Sequence, residues 1–209
     1  DIMKLKLPEI IPVFPISGVI YFPKTNLPLN IFEPRYLSMV DDSMKLNKFM
    51  GIIQSQKNNS NLYSVGCLGK ITENKKSNDG RLLINLVGIS RFEIKKEINN
   101  NKNYREFSVS YDRFKDDLHQ SKKQIEKFKV LSDKTKVFFK KNGLLLNWEK
   151  FEELDQDQKI NTLAMIAPIS NEEKQTILES SSTQSKTKTL SEIIEFYSYQ
   201  NEINNLTIQ

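Results

Sequence analysis

An α+β architecture, β-rich first and helical afterwards, follows from three features of the chain. Residues 12–36, PVFPISGVIYFPKTNLPLNIFEPRY, are apolar yet hold five of the seven prolines, which bars a long helix in a segment too hydrophobic for a linker. Short apolar runs then recur between turn signals as far as residue 114. Beyond about residue 115 the apolar spacing lengthens from two to three and four. Together these predict a small barrel or sandwich with one inserted helix over residues 1–115, then a helical bundle over 116–209.

Taken in order, EIIPVF (9–14) and LPLNIF (27–32) are short strands. Each carries a proline near its start, where a missing ladder donor is tolerated. ISGVIYFPKTN between them is a turn and a short extended piece. FEPRYLSMVDDSMKL is the inserted helix: Pro34 suits a first turn, and Tyr36, Met39, Val40 and Met44 recur at helical spacing. FMGIIQS (49–55) and LYSVGCLGKITEN (62–74) are strand material, with Gly66 and Gly69 placed for a bulge or a close backbone approach. KKSNDG (75–80) is a turn. RLLINLVGISRFEIKKEI (81–98) is strand material expected to split at Gly88, so that Gly80 and Gly88 both serve turns. YREFSVSYDRF (104–114) alternates as a further strand.

Residues 116–141 predict one long helix with Leu118, Ile125, Phe128, Leu131 and Phe138 on a shared face, stopped at Asn142-Gly143. NWEKFEEL (147–154), DQKINTLAMIAP (157–168) and ISNEEKQTILE follow as shorter helices. Ser170 and Glu173 form a capping box on the last of them. A Ser/Thr-rich stretch, 180–189, precedes a final helix carrying Leu190, Ile193, Ile194 and Tyr197. Trp148 is expected to be a buried anchor between helices.

Composition narrows the function. One cysteine, Cys67, excludes an internal disulfide framework and suits a reducing compartment. With His119 as the single histidine, a zinc site is not expected, and neither residue lies in a motif that would make a nucleophile–base pair. No cofactor, metal or catalytic group is expected. No apolar run nears the ~20 residues of a membrane helix. Pro8, Pro12 and Pro15 argue against a secretory signal, so a cytoplasmic protein without a membrane partner is expected. Charge is uneven: residues 1–150 sum to +11 and residues 151–209 to −6.

The opening segment resembles the signature of the Lon substrate-binding (LON) domain family. Pro12, Phe14, Pro15, Phe22, Pro23, Leu27, Pro28, Leu29, Ile31, Phe32, Glu33, Pro34, Arg35 and Tyr36 match that pattern in order and spacing. VGCLGKI (65–71), DGRLLINLVGISRFEI (79–94) and NTLAMIAPISNEEKQTILE (161–179) resemble later parts of the family, so the similarity covers almost the whole chain. It implies a PUA-like β pseudo-barrel with one inserted helix, followed by a C-terminal helical bundle. The full protease adds an ATPase and a serine-lysine peptidase. Gly69-Lys70 lacks the upstream glycine and following hydroxyl of a phosphate loop, and no segment resembles the peptidase nucleophile motif. The expectation is a stand-alone, ATP-independent domain.

A non-enzymatic polypeptide-binding module of protein quality control is therefore expected, an adaptor or regulator working with a protease or chaperone. Its partners would be unfolded or extended hydrophobic segments, with self-association supplying avidity. Phe14, Phe22, Pro23 and Phe32 are the candidate contacts. The phenylalanines belong either to the core or to an exposed apolar groove. Glu33, Pro34, Arg35 and Tyr36 form a structural motif: Glu33 is expected to satisfy free N–H groups at the helix start and Arg35 to brace a neighbouring loop. The alternative function is RNA binding through the basic barrel.

Overall fold

The computed structural model describes residues 6–57, 61–119 and 128–207. Backbone packing divides the chain into two compact units, Asp1–Asp117 and Leu118–Gln209.

The first unit contains β1 (Ile10–Ile16), β2 (Asn26–Ile31), α1 (Pro34–Lys45), β3 (Phe49–Gln54), β4 (Val65–Lys76), β5 (Leu82–Ile98) and β6 (Glu106–Ser110). The strands run in the order β2-β5-β4-β3-β1-β6, and β6 also pairs with β5. That last pairing closes five strands into a ring and leaves β2 outside as an edge. Only β1 and β3 are parallel among these pairs. A parallel neighbour needs a crossover rather than a hairpin, and β2 with α1 is that crossover. Ile11, Val13, Phe49, Ile53, Leu68, Phe92, Phe107 and Val109 fill the ring as one apolar cluster.

β5 is one continuous strand of 17 residues. The expected split at Gly88 does not occur, and Gly88 is not a turn residue. It is a point of close approach: a Cβ there would lie 2.3 Å from the Phe22 carbonyl oxygen and 3.0 Å from Pro23 Cα. Hydrogen bonds tie the two segments on either side, Lys24 N–H to the Gly88 carbonyl and Gly88 N–H to the Thr25 carbonyl, each 2.9 Å. Gly66 has a similar role, since a Cβ would sit 2.4 Å from the Ile52 carbonyl oxygen. The β4–β5 register shifts between Leu68 and Gly69, where a bulge was expected. Gly80 is a turn residue, with φ +87°.

Proline placement along β2 follows from the same ladder. Because Gly88 N–H bonds to Thr25, antiparallel alternation turns the nitrogen of Pro28 away from β5. Leu27 and Ile31 face inward while Asn26, Pro28 and Asn30 face solvent. The outer edge thus lacks a donor at its centre, a common protection against adding a further strand.

After β6 the chain makes a 3-10 turn, Asp112–Leu118, not the start of a long helix. Residues 120–127, Ile125 among them, lie outside the described residues, and regular helix is described from Phe128. Phe114, expected in the strand, is buried in this turn. The turn is held by Arg91, which is 1% exposed. Its Nε and Nη2 donate to the two oxygens of Asp117 at 3.0 and 2.9 Å, and its backbone N–H donates to the same carboxylate at 2.8 Å. The guanidinium also lies 4.3 Å from the centre of the Phe114 ring. A buried charge is tolerable only when paired this completely.

The second unit contains α2 (Phe128–Lys141), α3 (Trp148–Glu152), α4 (Gln156–Ile166), α5 (Asn171–Glu179) and α6 (Thr183–Thr207). α6 packs on α2, α4 and α5. It begins within the Ser/Thr-rich stretch, where Thr183 donates to the carboxylate of Asp157. The Ser170–Glu173 capping box is present, and a second one, Asp155–Gln158, starts α4. Trp148 is half-buried rather than enclosed, against Phe139 and Phe151.

Replacing Gly88 by Ala forces backbone apart from backbone. It is expected to lower stability by about 1–3 kcal/mol or more, seen as a fall in the urea midpoint. Asp117→Ala strands the buried Arg91 charge and is expected to cost about 3–5 kcal/mol, much of it recovered in the Arg91→Met, Asp117→Leu double variant. Equal stabilities for single and double variants would show that the pair does not hold the turn.

Candidate functional site

The Phe14-to-Tyr36 segment alternates between the interior and the surface of the first unit. Along β1, Ile11 and Val13 point inward at 0% exposure, so Phe14, the residue after Val13, points to the other face. It is half-buried, with its ring 4.2 Å from that of Tyr36. Tyr36 lies in the first turn of α1, its N–H bonded to the Glu33 carbonyl at 3.0 Å. Burial pushes its phenol pKa up, partly opposed by the Arg35 charge.

The polar pair of this segment, Glu33 and Arg35, differs from expectation. Glu33 occupies the N-cap position, but its side chain caps no N–H group. Pro34 already removes one donor there, and the carboxylate instead accepts from Arg35 Nε at 3.0 Å. Arg35 braces no loop in these contacts. It lies outward over the Tyr36 ring, 4.6 Å from its centroid. Both members of this ion pair are open to solvent, so it contributes little to stability.

Of the four candidate contacts, two are interior. Phe22 is 0% exposed and Pro23 is buried, both in the segment pressed on Gly88. Phe32 is 65% exposed, set between the end of β2 and the N-cap of α1. Phe14 presents part of its ring. Backbone fixed by β2 on one side and α1 on the other holds this large apolar side chain in water.

A cleft of about 250 Å³, not foreseen from the sequence, opens on the same unit. Leu62, Tyr63, Ile94 and Phe107 give it an apolar wall, and Asn61, Ser64 and Arg105 a polar one. Arg105 is held by Glu97 through two parallel hydrogen bonds of 2.8 and 2.9 Å. That pairing lowers the Glu97 pKa and raises that of Arg105. No local spacing marks these residues, because pairing of distant strands brings them together. Cys67 is buried and His119 exposed. Among the described residues no three His, Cys, Asp or Glu side chains group as metal ligands, and no helix is long and apolar enough to cross a membrane.

Known proteins share this architecture. A crystal structure of a Lon N-terminal domain protein from Xanthomonas campestris superposes with TM-score 0.67 at 20% identity, covering 87% of this chain and 96% of that one. The N-terminal domain of Mycobacterium avium complex Lon protease gives 0.64 at 14% identity, covering 89% and 98%. Both show likeness of fold. In sequence, Lon protease of Desulfosudis oleivorans is 31% identical over 97 residues, 43% of this chain and 12% of that protein. Lon protease of Malacoplasma penetrans is 27% identical over 188 residues, 82% of this chain and 23% of that protein. The chain thus matches only a small part of the length of these proteases. The model of the ATP-dependent protease La (LON) substrate-binding domain matches residues 10–195, and with most of its length inside that match the chain belongs to the LON substrate-binding domain family.

Proposed function

We propose that this chain binds polypeptides without catalysing a reaction on them, as a recognition module of protein quality control in a reducing compartment such as the cytoplasm. Phe32 carries the reading: it is a large side chain displayed 65% to solvent on backbone fixed by β2 and α1. The family's designation as substrate-binding supports it. The module would act as an adaptor or regulator, handing bound segments to a protease or chaperone. Phe22 and Pro23 stay in the interior, and Phe14, packed on the buried Tyr36 ring, presents part of its own ring. Among the described residues of the first unit, Phe32 is the exposed aromatic. RNA-binding sheets stack two or three bases on aromatic side chains, so this surface favours polypeptide over nucleic acid.

Affinity from such a contact is small. Completing the burial of one phenylalanine yields about 1–2 kcal/mol, against association costs of roughly 4–15 kcal/mol. Binding of a single segment is therefore weak. Phe32→Ser is expected to weaken binding of a reduced, alkylated unfolded chain about 5- to 30-fold while leaving the melting temperature within about 2 °C. Unchanged binding with unchanged stability would overturn the reading. Arg35→Ala is expected to cost less than about 1 kcal/mol, because the Arg35 side chain is itself open to solvent in both its ion pair and its ring contact; a thermal melt checks this.

A further inference from the structure

The cleft lies where the ring of strands comes apart. β4 and β5 pair as far as Val65 and Glu93, and the Ile94 N–H then makes a last bond of 2.8 Å to the Ser64 carbonyl. Upstream of this point the chain leaves β5 and follows the end of β3. Tyr63 N–H donates to the Gln54 carbonyl, and Leu62 bridges to Ser55. β5 continues to Ile98 with β6 on its other side, through Lys96↔Ser108, Glu97↔Phe107 and Ile98↔Glu106. Among the described residues no strand pairs with Lys95–Ile98 on the side that β4 has left. Alternate N–H and C=O groups along that stretch therefore face outward without a strand partner.

We propose that an extended polypeptide segment adds here as a short strand along Lys95–Ile98, with one apolar side chain seated in the cleft. A row of alternating donors and acceptors is complementary to another peptide backbone, which is the physical basis of strand addition. The cleft, at about 250 Å³, is below the roughly 300–1,000 Å³ of drug-sized sites and suits a side chain. Leu62, Ile94 and Phe107 give the seat one apolar wall. The Arg105 charge at its rim is matched by Glu97, so the seated side chain needs no charge of its own. The edge of β2 is unsuited to the same role, because Pro28 removes a donor from its centre. This inference rests on the polypeptide-binding reading and assigns to it a second point of attachment.

Two measurements on the full chain test it, using a reduced, alkylated unfolded protein as probe. Ser64→Trp fills the cleft from an exposed position whose side chain makes no hydrogen bond in the ladder. It is expected to weaken binding at least about tenfold with an unchanged melting transition. Amide exchange on the unaltered protein is expected to slow at Lys95–Ile98 when the probe is added. Binding by Ser64→Trp as tight as that of the unaltered chain, or exchange at Lys95–Ile98 that the probe leaves unchanged, overturns strand addition. If Phe32→Ser still weakens binding in that case, the polypeptide-binding reading stands without it. Absence of any binding by the unaltered chain removes both.

Discussion

Closure of the barrel is carried by a single strand. β5 pairs with β2 and β4 over its first half and with β4 and β6 over its second. One strand has two edges, so three neighbours can be served only if two share an edge in succession. The length of 17 residues makes room for that. At the changeover β2 has ended and β6 has not begun, and the proline-rich segment crosses β5. Only a residue without Cβ admits another backbone so near, which is why Gly88 stands there. An added methyl group would push Phe22 and Pro23 off the strand, and with them the Lys24 and Thr25 hydrogen bonds.

This constraint explains how the segment can be both buried and displayed. Phe22 and Pro23 are held in the interior at the crossing. β2 then runs along β5 to Ile31, and α1 begins at Pro34. Phe32 falls in the two-residue gap, where neither ladder nor helix sets its side chain against the core. Burial and completeness of pairing separate two arginine–carboxylate pairs, one bidentate and one made by a single hydrogen bond. Arg91–Asp117 has side-chain exposures of 2% and 6%, Arg35–Glu33 of 54% and 43%. Desolvation makes the first costly to break, while solvent screening leaves the second nearly neutral.

Local chemistry was legible in the sequence wherever one element suffices to express it. Pro34 at a helix start, the Ser170–Glu173 box, the Gly80 turn and the order of strands and helices can all be read from spacing and residue type. Likeness of the PVFP to EPRY stretch to the LON family added the barrel as a whole. Long-range approach was not legible. Gly88 has the same neighbours in sequence whether it turns the chain or receives Phe22, and only the tertiary contact decides. Glu33 has the residue type of a dipole partner, yet Arg35 two residues later competes for its carboxylate. The cleft needed residues 61–64 to leave β5 for β3, a choice set by pairing between strands distant in sequence.

The two apolar features of the first unit differ in how they would hold a chain, and the difference bears on selectivity. Phe32 offers apolar surface and a side chain without hydrogen-bonding groups, so it would discriminate by hydrophobicity alone. The Lys95–Ile98 edge offers hydrogen bonds and asks for one apolar side chain at the cleft, so it would discriminate chiefly by conformation, accepting backbone that is extended and unpaired. Folded proteins expose single apolar residues on their surfaces in plenty, and their edge strands are commonly protected. Few offer both signals in one short stretch. Unfolded chains do so repeatedly. Two weak contacts read together would therefore favour unfolded over folded chains more sharply than either does alone, because the second contact forms at the effective concentration set by the first.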